Sequence, residues 1–423
     1  MNMKKWILTV VVGCLFSGAA FSQSLTVEQY RKRVLAYNQE AKQVRETVKA
    51  ALHALQAART GFLPRLQVEG NYTYQFQEVE FMEGVNLKHE NYTAAASLTQ
   101  ELYAGGNARY RRDAARLQAS IARLGEEQTR DNLVYAADVH YWTAAANEQL
   151  FAVASEFVAI VQTLYALVDK RFEEGAISRT DVLMVKTRLQ EAKLNRSSAR
   201  MNRETAFQSL KIRIGLLPSD TLVVADSIAK PLFVPAPVAL EGVLQRRADY
   251  RAAGEQVRLA GTVTRLTRAA YLPHLSVGVK EEWGTPLLNV DGRERFTTVA
   301  FAQLSVPLFH WGERRQLLLQ DRARERTRFL EQSKVKDQIR EELAEARIRL
   351  DETTRQVDIA TATLAIAREN LQLNTFSYNE GKLPILDVLS AQATWLQAYT
   401  GVITAHYQHK LALAAYRKAL GGH

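Results

Sequence analysis

The chain contains very little cysteine and proline. It has one cysteine in 423 residues, which excludes a disulfide framework and a cysteine-based zinc site. Nine prolines are few for this length and favour long, uninterrupted helices. Acidic residues are also in the minority, since 55 Lys and Arg against 45 Asp and Glu give a formal net charge of +10. Apolar residues still make up 47% of the chain, which excludes a disordered or collagen-like protein.

The N-terminal segment has the pattern of an export signal. Two lysines precede an apolar run over 6–16 that is too short to cross a membrane, and Ala20-Phe21-Ser22 has the small residues that signal peptidase requires. We therefore predict a signal peptide over 1–22. Two alternatives are a lipobox in which Cys14 is acylated and an N-terminal anchor that stays in place.

The rest of the chain offers no transmembrane helix by composition. After the signal segment, no stretch of about 18 apolar residues is free of charge. An exported chain of this kind is either soluble or a membrane β-barrel.

The sequence repeats itself internally. Three blocks recur at an offset of 206 or 209 residues, so the chain consists of two similar halves. The matching pairs are Leu63-Pro64 with Leu272-Pro273, Leu102-Tyr103 and Gly106 with Leu308-Phe309 and Gly312, and Gly175 and Asp181-Val182-Leu183 with Gly381 and Asp387-Val388-Leu389.

Each half follows the same order: helix, two strands, a very long helix, a tight break and another helix. Residues 107–174 and 313–380 are free of proline and correspond to about 100 Å of continuous helix each. Helices of that length bury an apolar stripe against partner helices. We assign the repeats to 23–213 and 239–423, joined by a proline-rich linker over 214–238 with a short β-prone run.

Four segments alternate apolar and polar residues with the period of a strand. They are 65–77, 91–102, 274–283 and 296–308. A membrane strand needs about 9–11 such residues, and these segments are long enough. The alternative is a soluble sheet that packs one face on the helices. Four strands cannot close a barrel, so the membrane interpretation requires several copies, and three would supply twelve strands.

These features resemble the TolC-like outer-membrane efflux factor family over about 24–420. The similarity lies in the Leu-Pro entries to the strands, the glycines that open the long helices, and the two helix-turn-helix tips. The resemblance implies a mainly α-helical homotrimer in which a twelve-stranded outer-membrane β-barrel continues into a periplasmic α-helical tunnel. It also implies passive conduction, driven by a periplasmic adaptor and an inner-membrane pump of the resistance-nodulation-division or ABC type.

The two tips carry local folding signals of their own. Gly175 and Gly381 each suit the C-cap of the long helix before them. Ser178-x-x-Asp181 is a capping box, and Pro384 places Asp387 in the first turn of the last helix, where the dipole favours a carboxylate.

By resemblance, the tips would also gate the channel. Asp387 matches an aspartate of the family's constriction ring, whereas the second ring position is Ser390, so a weaker cation block is expected. Thr180, Asp181 and Tyr378 match positions of the tip latch. The alternative interpretation of both aspartates is purely structural, as caps and dipole partners.

The same tips match the family's docking grooves for the adaptor. The matching residues are Gly175, Ile177, Gly381 and Leu383, although Leu383 stands where the family's latch has an arginine. Small residues allow a helix to approach closely. The alternative is that the glycines serve only the turns.

The sequence contains no recognised motif for catalysis or for a cofactor. His406 and His409 lack a nearby third ligand, and no metal, cofactor or catalytic site is predicted, so the chain is not expected to be an enzyme. We interpret the basic clusters at Arg109, Arg111 and Arg112 and around Arg314 and Arg315 as solvated helix faces rather than nucleic-acid contacts. Besides an efflux conduit, two functions compatible with the pattern are a soluble periplasmic coiled-coil scaffold and a surface adhesin or receptor on the same barrel.

Overall fold

The fold is known from a computed structural model that describes residues 23–77, 79–231, 233–285 and 290–422. The predicted signal peptide over 1–22, with Cys14, lies outside the described residues.

Most of the described chain is helical, and each half has the predicted order of elements. The elements of the first half are β1 (Gln23–Leu25), α1 (Val27–Tyr37), α2 (Gln39–Arg59), β2 (Arg65–Tyr74), β3 (Glu80–Met82), β4 (Val85–Asn86), β5 (Glu90–Ala104), α3 (Asn107–Glu173) and α4 (Arg179–Arg213). The elements that follow are β6 (Leu222–Val224), α5 (Leu240–Arg246), α6 (Ala248–Ala269), β7 (His274–Gly284), β8 (Arg295–Ser305), α7 (Glu313–Asn379) and α8 (Ile385–Ala419).

The two long helices have the predicted extent. Helices α3 and α7 contain 67 residues each, and both are free of proline. Small side chains such as Ala137, Ala144 and Ala145 are buried along α3, which lets neighbouring helices approach it closely. The composition of the sequence predicts no transmembrane helix, but when up to two charged residues are allowed, one helix of the described residues, α3, has a stretch apolar enough by length and composition to cross a membrane.

Contacts within the chain account for the apolar character of α3. Its residues Phe157 and Val161 are buried in a cluster with Leu189 of α4 and Trp395 of α8. The Phe157 and Trp395 rings stack with their centres 6.3 Å apart. Helix α3 therefore uses its apolar face to pack against other helices of the same chain.

The four predicted strands form one antiparallel sheet in the order β2-β5-β7-β8. The register pairs Leu66 with Leu98, Leu98 with Val279 and Val279 with Ala300, which places these four side chains on one face. Strands β2 and β8 are the two edges of this sheet. Each edge strand pairs on one side only within the described chain.

The apolar face of the sheet is exposed. Leu66 and Val68 of β2 are each 73% exposed, and Phe296 of β8 is 74% exposed. A soluble sheet would need this face to pack on helices of the same chain, and the exposure contradicts such packing. An apolar face of this size is typical of a surface that contacts lipid or another protein.

The chain divides into two compact units. One contains the chain up to Asn38 together with Val134–Val234 and Leu350–Ala414, and the other contains Gln39–Leu133, Pro235–Arg349 and the chain from Ala415 onwards. Each unit thus draws segments from both halves of the repeat.

A small parallel strand pair closes the core of the first unit. Strand β1 pairs with β6, which corresponds to the predicted β-prone run of the linker. The Tyr141 hydroxyl donates to the carbonyl of Leu25 at 2.8 Å and lies 2.9 Å from the Asp226 carboxylate, which also accepts from the N–H of Val27 at 2.8 Å. Burial raises the pKa of Tyr141, so its hydroxyl stays protonated and able to donate.

A buried lysine lies in the same unit. Lys410 of α8 is 1% exposed, donates to the carbonyl of Lys230 and lies 4.8 Å from the ring centre of Trp142. His406 and His409 precede Lys410 on the same helix. Burial, and then the charge of Lys410, lower the pKa of both His406 and His409, which favours their neutral form.

Candidate functional site

The first tip turns through a glycine C-cap. Gly175 has φ of 73°, its N–H donates to the carbonyl of Phe172 at 2.9 Å, and the N–H of Ala176 donates to that of Arg171 at 2.8 Å. This pair of bonds is a Schellman motif, which satisfies the last carbonyls of α3. Only glycine and a few other residues adopt that left-handed conformation at low cost, so the sharp reversal follows from the sequence.

The predicted capping box starts α4. The Ser178 hydroxyl oxygen accepts from the N–H of Asp181 at 3.3 Å, and the Asp181 carboxylate accepts from the N–H of Ser178 at 3.2 Å and from its hydroxyl at 2.9 Å. The carboxylate of Asp181 is therefore engaged on its own tip.

The second tip repeats the geometry of the first. Gly381 has φ of 74°, its N–H donates to the carbonyl of Tyr378 at 3.0 Å, and the N–H of Lys382 donates to that of Ser377 at 2.9 Å. Helix α8 then begins at Ile385.

The predicted channel residues lie just beyond that turn. Asp387 is half-buried in the first turn of α8, with its N–H donating to the carbonyl of Pro384 at 3.2 Å. Ser390 is exposed one turn later. A negative charge in this first turn interacts favourably with the positive end of the helix dipole, which is the structural interpretation of Asp387.

An apolar cluster joins the two tips. Its buried members come from α3, α4 and α8 and the end of α7: Leu164, Val168, Val185, Tyr378, Ile385 and Val388. Ile177, one of the predicted docking residues, packs against this cluster. Tyr378 is 5% exposed, and its hydroxyl has no hydrogen-bond partner in the part of the chain that the structure describes. The structure thus brings Ile177 and Tyr378 into one core, whereas Asp181 bonds to Ser178.

Arg171 links the tips in a way that sequence reasoning missed. Its guanidinium donates to the carbonyls of Tyr378 at 3.3 Å and Asn379 at 3.0 Å, and it lies 5.0 Å from the centre of the Tyr378 ring. One side chain at the end of α3 therefore caps the end of α7. A cation in the last helical turn is the signal that could have indicated it, since it can bond free carbonyls there.

The remaining predicted residues lie at the surface of the tips. Thr180 is exposed and lines a groove of 460 Å³ between α4 and α8. The other lining residues are Leu183, Met184, Thr187, Arg188, Glu191, Leu389 and Ala393. Gly175 and Gly381 are exposed, and apart from their chain neighbours no atom of the described residues lies within 4 Å of where a Cβ would be. Leu383 is half-buried. The two glycines predicted to receive the adaptor thus border open space.

Metal binding has no support in the described geometry. Across 23–77, 79–231, 233–285 and 290–422, no group of three or more His, Cys, Asp or Glu side chains is placed to hold a metal ion. The interactions between the tips are the hydrogen bonds of Arg171 and apolar packing, and the Asp387 carboxylate lies in the first turn that follows.

The chain is similar to known proteins in sequence and in fold. A family model described as "Outer membrane efflux protein" matches residues 30–216 and 239–422. The chain is 22% identical to outer membrane protein OprJ of Pseudomonas aeruginosa, over 91% of this chain and 81% of OprJ. It is 24% identical to the alkaline protease secretion protein AprF of the same species, over 85% of this chain and 76% of AprF.

A solved structure has the same fold. The CmeC outer membrane channel of Campylobacter jejuni superposes with a TM-score of 0.80 at 18% identity, covering 94% of this chain and 85% of CmeC.

Proposed function

Because this chain belongs to the outer membrane efflux protein family, we infer that it is the outer-membrane channel component of an efflux or secretion system. The observation that carries this inference is the exposed apolar face of the β2-β5-β7-β8 sheet. Such a face is costly in water and stable against lipid acyl chains. We propose that substrates pass through passively, without catalysis by the chain.

We propose further that three copies assemble. In the part of the chain that the structure describes, β2 and β8 each leave one backbone edge unpaired, and lipid tolerates no unpaired backbone groups. Pairing β8 of one copy with β2 of the next satisfies both edges, and three copies give a closed barrel of twelve strands, which is wide enough for a channel. The long helices would continue this barrel as an α-helical tunnel in the periplasm.

The tips supply the gate in this proposal. Asp387 recurs three times around the axis of a trimer, and a ring of carboxylates attracts cations and repels anions. Thr180, Asp181 and Tyr378 are proposed as latch residues. The fork from Arg171 to the carbonyls of Tyr378 and Asn379 supports a closed tip, because it ties α3 to α7 within one copy.

The partners in this proposal are a periplasmic adaptor and an inner-membrane pump. Gly175, Ile177, Gly381 and Leu383 would receive the adaptor, since the glycines border open space where a helix can approach. A pump of the resistance-nodulation-division or ABC type would drive transport, since the chain itself is proposed to conduct passively.

Planar-bilayer recording of the purified chain tests the proposed function. We expect discrete conductance steps, and we expect the chain to sediment with membranes and to need detergent for extraction. A chain that stays in the aqueous fraction, or that inserts without conducting ions, would refute the channel. Cross-linking between cysteines placed on β2 and β8 tests the assembly, with a three-copy ladder as the expected product.

A further inference from the structure

The turn between β8 and α7 has an unusual backbone. Trp311 has φ of 45° and Gly312 has φ of 83°, and the N–H of Glu313 donates to the carbonyl of His310 at 2.8 Å. Two successive positive φ values inside such a bond are typical of a type I′ turn, whose central positions favour glycine, asparagine or aspartate. Among the residues that the structure describes, Trp311 is the only one besides glycine with a positive φ. A bulky side chain there is strained.

The internal repeat provides a direct comparison. Gly105 and Gly106 occupy the equivalent positions of the first half, with φ of 62° and 84°. A Cβ on Gly105 would lie 2.8 Å from a side-chain carbon of Leu272, so packing and backbone both demand glycine there. Trp311 adopts a positive φ at the position of Gly105 without being glycine. The conformation of the turn therefore does not explain why this position carries a tryptophan.

Burial within the chain does not offset this strain. Trp311 is 90% exposed, and its ring meets only the ring of Phe309 edge to face, with centres 4.8 Å apart, among the ring contacts of the described chain. Phe309 is itself 69% exposed, and Leu308 is 89% exposed. Three large apolar side chains are thus presented outwards at a single turn, which is typical of a surface that contacts something else.

The chain on either side of the turn identifies that contact. Before the turn, Leu304 of β8 continues the exposed apolar face of the sheet. After it, Arg314 and Arg315 are exposed in the first turn of α7. An apolar strand, an aromatic turn and then two cations follow the order of a membrane interface, from acyl chains through the glycerol ester region to the headgroup phosphates. Tryptophan favours the headgroup level, and arginine complements lipid phosphate.

We propose that Trp311 anchors the protein in the phospholipid headgroup layer of the leaflet that faces the periplasm. Phe309 reaches towards the acyl chains, and Arg314 and Arg315 contact lipid phosphates. This inference rests on the proposed function, which puts the sheet in the outer membrane. The strained turn aims the indole outwards, and the anchor sets the depth at which the sheet passes into α7. Only the second half of the repeat has it, because Gly105 offers no side chain.

Tryptophan fluorescence of the reconstituted mature chain tests the anchor. Trp142 and Trp395 are buried, at 2% and 3% exposure, so Trp283 and Trp311 are the tryptophans open to quenchers after residue 22. Trp283 lies on the apolar face of the sheet, paired with Phe296, and serves as an internal control for insertion. The probes are phosphatidylcholine brominated near the ester end of its chains, the same lipid brominated near the methyl end, and aqueous iodide.

We expect lipid brominated near the ester end to quench the part of the tryptophan emission that comes from Trp311. W311F and W311G should both lack this quenched component. W311G also relieves the backbone strain, so its loss of that component cannot result from misfolding. Two results would overturn the anchor but leave the channel proposal intact, provided that brominated lipid quenches Trp283. In the first, iodide quenches Trp311 and brominated lipid does not. In the second, neither iodide nor brominated lipid quenches Trp311, because a second copy covers it. If lipid quenches neither tryptophan, the proposed function fails as well.

The arginines have a separate readout. Adding phosphatidylglycerol to the vesicles should shift the Trp311 emission towards shorter wavelength, and R314Q should reduce that shift by at least half. R368Q removes an equivalent exposed charge elsewhere on α7 and should leave the shift unchanged. Equal behaviour of R314Q and R368Q would overturn the phosphate contact.

Discussion

The guanidinium of Arg171 lies 5.0 Å from the ring centre of Tyr378 and donates to the carbonyl of the same residue. A single side chain thereby covers an aromatic ring and caps the helix that ends beside it. Because the two residues belong to α3 and α7, their contact sets the spacing of the two tips within one chain.

We expect R171A to loosen the closed tip. The change removes two charge-assisted hydrogen bonds, each worth about 1.5–3 kcal/mol at most, and leaves the carbonyls of Tyr378 and Asn379 to solvent. Single-channel conductance in planar bilayers should rise. R171K should conduct nearly as much as R171A. A lysine keeps the positive charge, but it lacks the planar guanidinium that donates to two carbonyls at once.

Lys170 provides the matched control for that experiment. It lies beside Arg171 and pairs with Glu174 at 3.9 Å on the exposed side of the helix. K170A should change conductance little, since exposed pairs of this kind contribute about 0.5 kcal/mol or less. If K170A opened the tip as far as R171A does, net charge rather than the fork would be responsible.

Removing Asp387 should weaken block of the channel by multivalent cations. The proposed ring concentrates cations at a constriction, and D387A removes one charge from each copy. S390D adds a second ring one turn along α8 and should strengthen the block. Block by a trivalent cation at the tip side of a planar bilayer gives the measurement, and E380A serves as a control outside α8. If the cation blocks D387A as strongly as the parent channel, Asp387 has only a structural role at the start of α8.

Substitutions of Gly381 distinguish a role in binding the adaptor from a role in forming the turn between α7 and α8. Asparagine tolerates the left-handed conformation that Gly381 adopts, at φ of 74°, so G381N should keep the turn and the melting temperature nearly unchanged. If the glycine receives a helix of the adaptor, the added side chain should still abolish co-purification of the adaptor. Retained co-purification in G381N would show that the position serves only the turn. G381V, which adds strain of about 1–2 kcal/mol, shows how much instability alone reduces binding.

Acid should destabilise the region around Lys410 through its two neighbouring histidines. Burial and the lysine charge lower the pKa of His406 and His409 below the ordinary value of 6.5, so the unfolded chain binds more protons than the folded chain. Their contribution to stability is present above pH 6.5 and is lost as the pH falls through the lowered pKa values. The melting temperature of H406Q/H409Q should depend less on pH in this window than that of the parent. H53Q, at an exposed histidine of α2, should keep the parent slope.

The sequence predicts the regular elements well, because their signals are local. Freedom from proline fixes the extent of α3 and α7, and the alternation of apolar residues fixes β2, β5, β7 and β8. The capping box of Ser178 and Asp181 is confirmed for the same reason, since a side chain and a backbone N–H three residues apart decide it.

Contacts between segments that are distant in the sequence cannot be predicted from local sequence signals. The fork of Arg171 spans more than 200 residues, and its repeat equivalent is Ser377, so no internal match draws attention to it. Strand β1 has only three residues, too few for a periodic signal, and its partner β6 comes from the linker. The conformation of Trp311 also stays hidden, because a tryptophan gives no sequence signal for a positive φ.

The two free edges of the sheet have a kinetic consequence. If β2 and β8 find partners only on other copies, completion of the sheet is bimolecular, and its rate falls with dilution while the helices fold at a constant rate. A newly exported copy then remains a monomer with an incomplete sheet for a time that depends on its concentration. During that time, the unpaired edges of β2 and β8 can pair with a strand of another protein. Low expression should therefore lengthen the life of a protease-sensitive single copy.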